Sequence, residues 1–150
     1  MRPSHVRKRI LEEHERLRVL LAELDEAARR LLEGDEALAL RLRVLAEALR
    51  EKFLRHLDLE DEILVPTLRE IDPWGPERAK QVSEEHLEQR ALFQRLFADL
   101  HDGRRPAVEV AVELRALVSA LLLDMQGEEA HVLHPDVLHD DPMEPDIETG

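Results

Sequence analysis

Leucine, alanine, valine and isoleucine recur three and four positions apart through most of the chain, and only five glycines interrupt them. That spacing lays apolar residues along one face of an α-helix. The abundance of Leu, Ala, Glu and Arg, beside three Phe, one Trp and no Tyr, suits long helices rather than sheets. Capping residues and breakers divide the chain into four helices. Ser4 is placed to cap a first helix carrying Val6, Ile10, Leu17, Leu21, Leu24, Ala28 and Leu31, broken only at position 14. Gly34 ends it, and Asp35 can cap a second helix with Leu38, Leu42, Leu45, Leu49, Phe53 and Ile63 on one stripe, running to about Ile71. The turn DPWGP (72–76) places a proline early in a third helix, whose stripe is Val82, Phe93, Leu96 and Leu100. Gly103 ends that helix, and Pro106 opens a fourth with Val110, Leu114, Leu117, Val118 and Leu121, ending near His134–Pro135. The expected fold is all-α: an up-down-up-down antiparallel four-helix bundle over residues 1–135, with an acidic, irregular C-terminal tail over 136–150.

With 150 residues the chain suits one domain, as a monomer or homodimer. It contains no cysteine, which excludes disulfides, iron–sulfur clusters and thiolate zinc sites, so any metal must be held by histidine and carboxylate. The formal net charge of −13 would repel nucleic-acid phosphates, and Arg2, Arg7, Lys8 and Arg9 read as a solvated first turn. No stretch approaches the roughly 18 apolar residues of a membrane span. The basic N-terminus lacks the apolar core of a secretory signal, so a cytoplasmic protein is expected.

Polar residues break each stripe. His14 follows Ile10 by four, His56 follows Phe53 by three, Glu60 precedes Ile63 by three, and His86 follows Val82 by four. Each points into the bundle, where an ionisable group needs a partner. A lone core histidine usually finds a backbone carbonyl, but these four fall at one level. His14 lies 20 residues before Gly34 and His56 22 after it; Glu60 and His86 each lie 13 from Pro73. At about 1.5 Å per residue, antiparallel neighbours at matched counts share one layer. On the fourth helix the layer falls near residues 121–129, within LLLDMQGEEAHVLHP. Imidazole and carboxylate together suit iron, manganese or zinc, and carboxylates bridging two metals recur in bundle cores.

These residues carry a family resemblance. The segment HLDLEDEILVP (56–66) resembles the signature of hemerythrin-like, or HHE cation-binding, domains, and His14 in ILEEHERL and His86 in SEEHLEQR are similar to that family's first- and third-helix ligands. The resemblance spans residues 5–135. It implies non-haem iron, di-iron more often than mononuclear, with O2 or another small diatomic or peroxide as ligand. It implies His14, His56, Glu60 and His86 as metal ligands. Two positions depart from the family pattern. Arg90 stands where many members have a second third-helix histidine. Aligning Pro135 with Pro66 puts Met125 at the fourth-helix histidine position and Glu129 at the glutamate position, with GEEAHVLHP echoing LEDEILVP.

Two stripes on the fourth helix compete. Leu114, Val118, Leu121, Met125, Glu129 follows the family; Leu114, Leu117, Leu121, Asp124, Glu128, His131 is an equally good pattern, and its Glu128-x-x-His131 resembles the ligand pair of ferritin-like bundles. The fourth-helix candidates are therefore Glu129, then Glu128, then Asp124. Asp61, Glu62, Glu84 and Glu85 read as solvated face, and His5, His101, His134 and His139 as exposed helix ends. The expected function is O2 binding or O2/redox sensing at a non-haem iron centre. Peroxide reduction, ferrous iron oxidation or iron handling is the alternative, and a metal-free helical interaction module the second. Without tyrosine or cysteine there is neither a tyrosyl radical nor a resolving thiol, so the reading leans away from an enzyme.

Overall fold

Helix α1 (Pro3–Leu32) begins with a proline at an early position, where its missing N–H costs nothing. It stops at Gly34, whose φ of +113° strains any residue with a Cβ. Arg29 and Arg30 in the last turn complement the helix dipole. Asp35 makes no cap hydrogen bond and instead accepts one from Arg30, so a 3₁₀ turn (Glu36–Leu38) leads into α2 (Ala39–Leu59). A π-helical turn (Glu60–Leu64) follows directly, then α3 (Val65–Arg69). The chain reverses into α4 (Gly75–Phe97), and α5 (Ala107–His131) completes the fold. At Gly75 an added Cβ would lie 1.9 Å from the Leu68 carbonyl oxygen, so only glycine lets α4 start against the end of α3. This computed structural model describes residues 1–71, 73–98, 100 and 103–141. Asp72 of the expected turn, His101, and residues 142–150 of the expected tail lie outside the described residues.

The fold is all-helical, with four long helical segments and no strand among the described residues, consistent with a helical bundle. Contacts between neighbours run in opposed register. Ser4, His14 and Asp25 of α1 meet Asp140, Glu129 and Arg115 in turn. Asp58 and Asp61 meet Arg90 and His86.

Apolar burial forms two cores. The larger contains Leu17, Leu24, Leu49, Phe53, Phe93, Leu114 and Met125, with the Phe53 and Phe93 rings stacked 5.4 Å apart. The smaller contains Val6, Ile10, Leu64, Leu68, Val82, Leu133 and Leu138. Each fully buried Phe or Leu contributes about 1.5–3 kcal/mol. Between the cores lie the buried polar residues His14, His56, Glu60, His86 and Gln89, each 6% exposed or less. The π turn explains one departure from the expected stripe. Its extra residue advances the helix phase, so Leu64 rather than Ile63 becomes fully buried.

Ser4 does not cap α1. It sits inside the helix, and its backbone N–H (3.0 Å) and hydroxyl (2.7 Å) both donate to Asp140, which follows buried Leu138. A carboxylate 136 positions away thus satisfies a free N–H at the helix start. Asp140→Ala is expected to cost about 1 kcal/mol and to lower the melting temperature by about 2–4 °C in thermal unfolding by circular dichroism.

Candidate metal centre

Helical spacing sets the ligands. His56 and Glu60 are one turn apart, so both enter the layer from one face, with His56 Nε2 3.0 Å from Glu60 Oε1. The π turn opens at Glu60, and inside it Asp61 reaches toward α4. His86 comes in from α4 with Nε2 3.4 Å from Glu60 Oε1, and His14 from α1 with Nε2 3.2 Å from Glu128 Oε1 on α5. His14, His56, Glu60 and Glu128 each offer one ligand atom, all within 4.8 Å of one another. Donors about 2.1 Å from a common ion lie up to ~4.2 Å apart, so small side-chain rotations bring this group to coordinating distance.

Carboxylates stand behind the imidazoles. Glu129 Oε2 accepts a hydrogen bond from His14 Nδ1 at 2.6 Å, and Asp61 Oδ1 accepts one from His86 Nδ1 at 2.6 Å. Glu13 Oε2 lies 3.8 Å from His56 Nδ1, too far for a hydrogen bond. Glu129 is anchored by Arg18 (2.8 Å) and Asp61 by Arg90 (2.7 Å). For His14 and His86 these bonds select the tautomer with an Nε2 lone pair facing inward, the usual support for a metal-bound histidine.

The inward atoms are unsatisfied. His14 Nε2, His86 Nε2, Glu60 Oε2 and Glu128 Oε1 are buried without a hydrogen-bond partner, as is His56 Nδ1. Buried orphan groups are costly. Two carboxylates with neutral imidazoles carry a charge that one divalent cation would cancel, and the donor set suits such an ion.

Protonation shows the same demand for positive charge. Glu128 is pushed up to about 8 by burial and by Glu60. Burial works against charging His86, but Glu60 and Asp61 outweigh it and carry its pKa to about 9. His14 is raised despite burial, through Glu128 and Glu129. His56 goes the other way, to about 4, through burial and the neighbouring His14. Glu85 rises to about 7, through burial and the nearby Asp124 and Glu128. For the metal-free chain, the His86 contribution to stability is full below its unfolded value of 6.5 and is lost as pH rises through about 9. That of Glu128 is full below 4.5 and lost as pH rises through about 8. That of His56 is full above 6.5 and lost as pH falls through about 4. Protons therefore hold the layer together in mild acid, and a cation can replace them as pH rises.

The expected residues are placed as follows. His14, His56, Glu60 and Glu128 form the cluster, and His86 adjoins it through Glu60. Glu129 stands behind His14. Asp124 accepts a hydrogen bond from Gln89 Nε2 at 3.0 Å. Met125 packs in the larger core, and Arg90 pairs with Asp58 and Asp61. His134 is exposed beside Asp136. Sequence reasoning missed the supporting roles of Arg18 and Asp61 and the placing of Glu13, Glu85 and Gln89 beside the layer. The available signal was adjacency: Glu13, Asp61 and Glu85 each border a ligand candidate, one step around the helix toward a neighbouring helix.

A helical bundle with a buried imidazole–carboxylate layer defines a candidate metal-binding protein. Residues 5–135 match the family model of the hemerythrin HHE cation-binding domain, and the chain belongs to that family. Comparison with curated proteins and with solved structures gives no match.

The two α5 glutamates can be separated by substitution. Glu128→Gln is expected to weaken cation binding by more than about 100-fold in a chelator competition assay. Glu129→Gln, which only loosens His14, should weaken it by about 10–100-fold.

Proposed function

We propose that this hemerythrin-family chain is a non-haem iron protein that binds O2 or senses O2 or redox state, on an up-down-up-down four-helix bundle in the cytoplasm. The observation that carries the reading is the set of orphaned inward atoms on His14, His86, Glu60 and Glu128 at one level of the fold. Three histidines and two carboxylates suit iron ahead of zinc or manganese when the ligand is O2 or a related small molecule. His14, His56, Glu60 and Glu128 would hold the first ion. Glu60 also lies against His86, so its carboxylate is the group that would be shared with a second. Bound iron would supply reversible electron transfer to a small ligand.

The chain's own residues do the rest. Glu129 and Asp61 keep the protons of His14 and His86 on Nδ1 and their lone pairs inward. Against the opposing effect of partial burial, Arg18 and His14 draw Glu129, and His86 and Arg90 draw Asp61, below the usual carboxylate range. Phe53, stacked on Phe93 and tilted against the His56 ring at 5.8 Å between centroids, covers the larger-core side of the layer. Carboxylate donors favour the higher oxidation state, which supports sensing or redox turnover over reversible carriage by a histidine-rich site.

The test is anaerobic reconstitution with ferrous ion followed by admission of O2. The expected result is about one to two irons per chain and a visible spectral change that reverses on deoxygenation or reduction. Fewer than about 0.2 irons per chain would remove the reading, and sustained consumption of peroxide or ferrous ion would make the protein an enzyme instead.

A further inference from the structure

The helix seams around the polar layer are not closed alike. Between α1 and α5 the Arg18–Glu129 ion pair spans the seam at the level of His14. Between α4 and the end of α2 with its π turn, the Arg90 pairs with Asp58 and Asp61 span it at the level of His86. Helices α1 and α2 pack closely, with Glu13 beside His56. Helices α4 and α5 approach each other only sparsely, and no ion pair crosses between them among the described residues. That seam holds a cleft of about 470 Å³ whose lining includes Glu84, Glu85, Glu88, Gln89, Arg95 and Asp124.

Two residues of this cleft, Glu85 and Asp124, are sequence neighbours of the layer. Asp124 lies one turn before Glu128, whose side chain is 8% exposed and whose Oε1 has no hydrogen-bond partner. Glu85 precedes His86, and its charge interacts with Glu128 and Glu60. Beside Glu85 and Asp124 lies Gln89, three residues after His86 and 6% exposed. Its Nε2 donates to Asp124 at 3.0 Å from α4 to α5 and to Glu85 Oε1 at 3.4 Å within α4. Gln89 is thus a buried polar side chain that no proposed ligand needs, held across the α4–α5 seam by one hydrogen bond. A second cleft beside Phe93 and Phe97 includes Arg90 and Asp58 in its lining, so it meets a closed ion pair instead of the cluster.

We propose that the α4–α5 cleft is the route by which cations and small ligands pass between solvent and the metal layer, with the Gln89 side chain as its gate. The acidic lining concentrates cations at the mouth. A swing of Gln89 away from Asp124 breaks one hydrogen bond and opens the path without disturbing His14, His56, Glu60 or Glu128. The inference rests on the metal-binding reading. It makes Gln89 a positioning residue with a kinetic signature. A gate changes the barrier in both directions, so it alters uptake and release by the same factor and leaves Kd unchanged. Loss of a metal ligand cannot do this, because it changes Kd.

The experiment is stopped-flow uptake of Co²⁺ by the full-length, chelator-stripped chain, read by cobalt absorption, with release measured into excess chelator. Gln89→Ala is expected to speed uptake and release together by about tenfold or more, at unchanged Kd. Gln89→Met keeps the bulk but loses the hydrogen bond, and should fall between Gln89→Ala and wild type. If Gln89→Ala does not fold, as judged by circular dichroism, Gln89→Met carries the test alone. Wild-type rates in both variants, or a change in release alone with Kd moving alongside, would overturn the gate while leaving the metal site standing. A wild-type chain that takes up no cobalt would remove the metal site and the gate together.

Discussion

Glu60 and Glu128 are buried together among three imidazoles, and the rest of the structure depends on how that excess of negative charge is neutralised. Neither carboxylate has enough hydrogen-bond donors to satisfy it, and each leaves one buried oxygen orphaned. Two apolar cores flank the layer, so the helices cannot separate to let in water without exposing Phe53, Phe93 and their neighbours on one side, or Ile10, Leu64 and Leu68 on the other. Hydrophobic burial thereby holds together a set of polar groups that would not assemble alone. The α1 end is fixed by Asp140 across the fold, and the α3–α4 reversal by Gly75, which puts His86 opposite Glu60.

The layer is organised in two shells. Inward, nitrogen and oxygen lone pairs converge. Outward, Glu129 and Asp61 hold the imidazole N–H groups of His14 and His86, and Arg18 and Arg90 hold those carboxylates at the bundle surface. Each chain of arginine, carboxylate and imidazole runs from solvent to core and links two helices. Arg90 therefore has a definite place: it fixes the support of His86 and stands outside the cluster.

Much of this was legible from spacing alone. Counting from Gly34 and Pro73 brings His14, His56, Glu60 and His86 to one level, because rise per residue is nearly constant in a helix and the turns are short. What periodicity could not show was rotation about each axis. The π turn at Glu60 adds a residue to one turn, which buries Leu64 in place of Ile63 and lets Asp61 face His86. On α5, Glu128 and Glu129 are one step of rotation apart, and both fit an apolar stripe. Which of them meets Glu60 depends on how α5 rolls against α1, which tertiary packing decides. Asp140 was illegible for another reason, since a cap 136 positions from its helix leaves no local pattern. Gln89 was passed over because a neutral amide in a charged stretch carries no spacing signal.

The central claim is that a cation and protons compete to neutralise one buried layer. The most direct test is thermal unfolding of the chelator-stripped chain at pH 6 and pH 8, with and without excess ferrous ion under anaerobic conditions. Glu128, pushed up to about 8, and His86, pushed up to about 9, hold their protons at pH 6 and begin to lose them by pH 8. The account predicts that ferrous ion at about a thousandfold its Kd raises the melting temperature by about 10 °C at pH 8. The rise at pH 6 should be clearly smaller. A melting temperature unmoved by the cation at both pH values would contradict it.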